Sequence, residues 1–132
     1  MRTIGSYALQ TTTRRSFDDA IRRATELLAE QGFGILTEID VQATLKKKLG
    51  VEGRPYRILG ACNPPFAHRA LQAEPYVGVL LPCNVVVWDE GDHRVVAAME
   101  PRLMAQIADS TELRAVAEEV SARLRAALER LD

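Results

Sequence analysis

The sequence predicts an α+β protein built on a mainly antiparallel sheet of about five strands, with helices on one face. Three observations predict it. Short runs rich in Val, Ile, Thr and Tyr alternate with helical stretches that carry apolar stripes. The last two strand-like runs, residues 77–88 and 94–100, are joined by the short turn DEGD and so read as a hairpin. An apolar fraction of 47% over 132 residues suffices for one core, so a single domain over residues 1–132 is expected.

The elements follow in chain order. Residues 3–12 have the Thr and Tyr content of a strand, with poor alternation. Ser16 then suits a helix N-cap, with Asp18 and Asp19 in the first turn, Phe17, Ile21, Ala24 and Leu28 at helical spacing, and Gly32 at the C-terminal turn. Residues 33–39 alternate as a strand. Asp40 caps a short helix that ends near Gly50. In the next strand Tyr56, Ile58, Gly60 and Cys62 share a face, and Pro64 and Pro65 stop the ladder and open a short helix. The run VGVLLPCNVVVW, residues 77–88, reads as one buried strand bent at Pro82. Pro101 opens a helical turn. The last helix, capped by Thr111, aligns Leu113, Val116, Val120, Leu124, Leu128 and Leu131 in one stripe that covers a sheet.

Composition narrows the function. Seventeen basic residues nearly cancel eighteen acidic ones, leaving a net charge of -1, and aromatics make up 5%. Neither an electrostatic footprint nor a stacking platform for nucleic acid follows, so no nucleic-acid partner is expected. No apolar run approaches the roughly 18 residues of a membrane span, and the first residues lack the apolar stretch of a signal peptide. The expectation is a cytoplasmic protein with no membrane partner and two free thiols. There is no Gly-rich phosphate loop and no Ser-His-Asp signature, and no cofactor is expected.

The motifs LGACNPP (59–65), LLPCNVVVW (80–88) and AMEP (98–101), with IDVQATLKKKLG (39–50), resemble the family called domain of unknown function 302, over nearly the whole chain. The resemblance implies a TATA-binding-protein-like β-α-β(4)-α arrangement, often as a homodimer, and no settled activity. A homodimer is also expected from residues 77–88, which offer more apolar strand surface than one helix layer covers.

The candidate site lies at the two Cys-Asn pairs, Cys62-Asn63 and Cys83-Asn84, with His68 six residues after Cys62. If the two strands are neighbours, Cys62, Cys83 and His68 converge at one sheet end. That site reads as a small-molecule ligand site in a regulatory or binding protein. A thiolate beside His68 or Arg69 would instead serve a thiol-dependent or redox enzyme, or two thiolates and an imidazole would hold a soft metal. Against all three, free cysteine is a small hydrophobe most often buried, and the spacing is not CxxC. A purely structural or interaction domain is then the remaining reading. Lys46, Lys47 and Lys48 read as a solvated helix face, and Glu100-Pro101 as a strand-to-helix junction.

Overall fold

The computed structural model describes residues 1–132. Its strands are β1 (Arg2–Ile4), β2 (Ala8–Thr13), β3 (Gly34–Asp40), β4 (Tyr56–Cys62), β5 (Cys83–Asp89) and β6 (Arg94–Met99). They form one antiparallel sheet in the order β1-β2-β6-β5-β4-β3. Six strands replace the expected five because residues 3–12 break at Gly5, whose φ is +54, into a hairpin rather than running through.

Helices α1 (Phe17–Glu30), α3 (Pro64–Ala73), α4 (Arg102–Ala108) and α5 (Thr111–Glu129) form the layer against one sheet face. The sixth helical segment of the chain is a 3₁₀ turn, Pro75–Leu80. Helix α2 (Val41–Leu49) buries none of its residues and hangs at the β3–β4 corner, outside that layer. Local chemistry sets the helix ends. Ser16 Oγ accepts from the Asp19 amide at 3.2 Å and Asp40 Oδ1 from the Ala43 amide at 2.9 Å. The cap of α5 is Ser110, one residue before the expected Thr111, with its Oγ accepting from Leu113 N.

The expected buried strand over residues 77–88 is shorter. Pro75, Gly78 and Pro82 prevent a continuous ladder, so the first half coils as the 3₁₀ turn and pairing starts at Cys83. Only Val77 of that turn is buried, while Tyr76 and Val79 stay 83% and 84% exposed.

The register sorts the sheet into two faces. Leu9, Ala98, Val85 and Leu59 lie in one cross-strand row, with Val96 and Val87 in the next, and these meet Leu27, Leu28, Leu113, Leu124 and Leu128 of the helices in the core. The alternate residues form rows on the outer face: Ala8 and Met99, then Gln10, Ala97, Val86, Ile58 and Ile39, then Thr12, Val95, Trp88 and Tyr56, the last two beside Val41 and Leu45 of α2. The face predicted for Tyr56, Ile58 and Gly60 is therefore real, but it is the outer one, while Cys62, the last residue of β4, lines a pocket with residues of the helix layer. A β-bulge between Ile35 and Thr37 breaks the alternation expected along β3.

Candidate functional site

Strand β4 ends at Cys62 and β5 begins at Cys83. Antiparallel pairing sets Ala61 opposite Cys83, which brings both Cys residues to the same end of the sheet. There they line one pocket of about 280 Å³, in which thirteen of the fifteen lining residues are hydrophobic. Its floor is Phe33, Ala61 and Cys83. One wall is Phe66, Ala67 and Ala70 of α3, and the opposite side is Met104 of α4 with Val116 and Val120 of α5. Leu36 and Leu71, 66% and 42% exposed, also line it and mark its mouth.

The two thiols have different surroundings. Cys83 is 5% exposed, and its thiol is pushed up to about 11, first by burial and second by the charge of neighbouring Cys62. Cys62 is half-buried, and both are free thiols. Asn63 is buried and forms the N-cap position of α3, yet its side chain makes no cap bond. Instead its Nδ2 donates to the Gln31 carbonyl at 3.1 Å, an oxygen that also accepts from Arg123 at 3.2 Å. Gly32 makes this contact possible. Its φ is +88, and a Cβ there would stand 3.0 Å from Asn63 Nδ2. Phe66 lies between two guanidiniums, with Arg123 5.2 Å and Arg69 5.8 Å from its ring centre.

Three of the expected site residues, Cys62, Asn63 and Cys83, meet at this pocket. His68 does not: it is exposed on α3, on the side opposite Ala67, Ala70 and Leu71. Asn84 does not either, because strand alternation turns it to the outer face, where it pairs with Gly60. No group of three or more His, Cys, Asp or Glu side chains is gathered as a metal would need. Sequence reasoning missed Phe33, Phe66 and Met104. Their only signal is that they are large apolar residues flanking the Cys-Asn segment and the AMEP motif, which does not set them apart from core.

Two further features lie outside the pocket. Tyr56 and Trp88 stack with centroids 5.5 Å apart, and Trp88 Nε1 donates to Glu90 Oε1 at 2.6 Å. Lys46, Lys47 and Lys48 are exposed on α2.

A family profile described as Domain of unknown function DUF302 matches residues 9–131. The chain belongs to the DUF302 family. The crystal structure of an uncharacterized conserved DUF302 protein from Bacillus stearothermophilus is similar, with a TM-score of 0.89 and 29% identity, over 97% of this chain and 100% of that one. No curated protein matches the chain. The DUF302 match spans every motif that carried the resemblance, and the neighbour shares the sheet and helix layer that create the pocket. No helix of this DUF302 chain is long and apolar enough to cross a membrane.

Proposed function

We propose that this chain is a cytoplasmic, homodimeric binding or regulatory protein that takes a compact, largely apolar molecule between the sheet end and helices α3, α4 and α5. The pocket carries this reading: about 280 Å³ of space with almost entirely hydrophobic walls, open at Leu36 and Leu71. An apolar cavity of about 150 Å³ holds one benzene ring. The space here suits a two-ring compound or a short alkyl chain. The polar points near its floor, the Cys62 thiol and the Asn63 carboxamide, would orient a single hydrogen-bonding group on that molecule.

Thiol catalysis through Cys83 has less support. A thiol held near 11 is protonated at neutral pH, and no cation is seated against it. His68, the base the sequence offered, faces solvent on the far side of α3.

Naphthol and decanol serve as probes of the two ligand shapes. Saturable binding of one of them, with a rise in the melting temperature, is expected. A ligand at a hundred times its Kd adds about 2.7 kcal/mol to stability. Ala67→Trp, which places an indole in the pocket, should abolish the binding while leaving the circular dichroism intact. Absence of binding by both probes, or binding unchanged in Ala67→Trp, would remove the reading.

A further inference from the structure

We infer that the molecule taken up by the pocket is a carboxylate on an apolar tail, and that Arg123 is its counter-ion. This rests on the binding reading above and adds the chemistry of the ligand's polar end.

The first observation is where Arg123 stands. Val116, Val120 and Arg123 follow at i, i+4 and i+7 on α5, so Arg123 continues the wall that the two valines begin. Its guanidinium lies over the ring of Phe66, which lines the pocket from α3, at 5.2 Å from the ring centre. It also donates to the Gln31 carbonyl at 3.2 Å, the same oxygen that accepts from Asn63 Nδ2 at 3.1 Å. The cation is thereby fixed at the Cys62–Asn63 end of the pocket, beside the lining rather than within it.

The second observation is charge. No residue that lines the pocket is charged. The other arginines of α3, α4 and α5 are matched: Arg69 with Glu112 and Glu119, Arg102 with Glu118, Arg114 with Asp109 and Arg125 with Glu100. Arg123 has no such partner. The acids nearest to it in the chain and to its contacts are taken, since Glu119, one turn earlier on α5, is held by Arg69, and Glu30, next to Gln31, by Arg130.

The third observation is that the polar groups at this end can all donate. Cys62 offers its thiol hydrogen, Asn63 Nδ2 keeps a second hydrogen, and the planar guanidinium fork of Arg123 has N–H groups to spare. A head group that accepts hydrogen bonds and carries negative charge meets all three. A carboxylate matches the fork with two parallel N–H bonds, and its single charge suits a single unmatched cation better than a phosphate monoester does. The tail is the two-ring or short alkyl body that about 280 Å³ admits.

Isothermal titration calorimetry of the full chain at neutral pH tests this with decanoate and 2-naphthoate against decanamide and 2-naphthamide, which keep each tail and lose the charge. For the tail that the pocket accepts, the acid should bind about tenfold more tightly than its amide, the scale of one charge-assisted hydrogen bond. Arg123→Gln should bring the acid down to the affinity of the amide and leave the amide unchanged. Arg123→Lys should keep part of the preference, and Arg114→Gln, which removes the same charge away from the pocket, should keep all of it. Ala67→Trp should abolish binding of acid and amide alike. Equal affinity of acid and amide for the wild type, a preference that survives Arg123→Gln, or acid binding that persists in Ala67→Trp would overturn the inference. Amide binding that is lost in Ala67→Trp would leave the pocket reading standing in each of those cases. If neither acid nor amide binds with either tail, the pocket reading falls and the inference with it.

Discussion

Cys62 and Cys83 sit one ladder step apart at one end of the sheet, and burial is the first difference between them. Alkylation needs thiolate, so native protein at neutral pH should react with iodoacetamide faster at Cys62 than at Cys83. Mass spectrometry of the labelled peptides reads the order, and equal rates would contradict the burial assigned to Cys83. The same burial makes stability depend on pH. The folded Cys83 thiol titrates near 11 against an ordinary 9.0. Between those values the folded chain holds a proton that the unfolded chain has released. The contribution is therefore complete below about pH 9 and fades as pH rises toward 11. Two pH units correspond to on the order of 2–3 kcal/mol. Urea denaturation of wild type and Cys83→Ala across this window should show the steeper decline in the wild type. Gly60 is a second residue fixed by its neighbours. A Cβ there would come within 2.8 Å of Pro82 Cγ and also strike the Thr37 hydroxyl, so only glycine lets the segment before β5 lie across β4.

The junction between β6 and α4 is held by a polar contact that crosses to α5. Glu100 is 5% exposed, and Ser121, fully buried on α5, donates its hydroxyl to both carboxylate oxygens, at 2.8 and 3.1 Å. Arg125 and Arg102 approach the same carboxylate at 3.4 and 3.5 Å. Ser121→Ala removes a donor from a buried carboxylate that has few others, and a loss of about 1–3 kcal/mol in chemical denaturation is expected. Ser121→Thr, which keeps the hydroxyl, should recover part of it. Elements whose signal is local were readable from sequence. The α5 stripe from Leu113 to Leu131 is buried throughout, and Ser16, Asp40 and Gly50 cap as their side chains or φ values dictate. What depended on distant partners was not. Val and Leu in residues 77–81 look alike in a strand and in a 3₁₀ turn, and only the chain packed around them decides. The face of β4 that turns to the helices depends on register, which no single strand encodes. The site was half readable for the same reason. Two Cys-Asn pairs mark the sheet end, but one-residue alternation sends Asn84 outward and a helical step sends His68 away.

At the scale of the whole molecule, the strand order places β2 beside β6, with Leu9 opposite Ala98. The other neighbours, β3 with β4, β4 with β5 and β5 with β6, are close in sequence and need only modest loops to close. Long-range closure is entropically slow, which sets an order of events during folding. The block from β3 to β6 is therefore expected to form the nucleus, with the N-terminal hairpin docking afterwards. Substitutions then divide by kinetics: Val85→Ala should slow refolding, whereas Leu9→Ala should leave refolding nearly unchanged and speed unfolding. Stopped-flow chevrons measure both, and a Leu9→Ala chevron whose folding limb moves as much as that of Val85→Ala would contradict the order. The same topology has a consequence during synthesis. The hairpin emerges from the ribosome before the other strands of the sheet, yet its seat on β6 is made almost ninety residues later. Until then β2 is a strand without a neighbour on one side, and the nascent chain passes through a stage at which β6, once made, offers its open edge to any strand that arrives before its own.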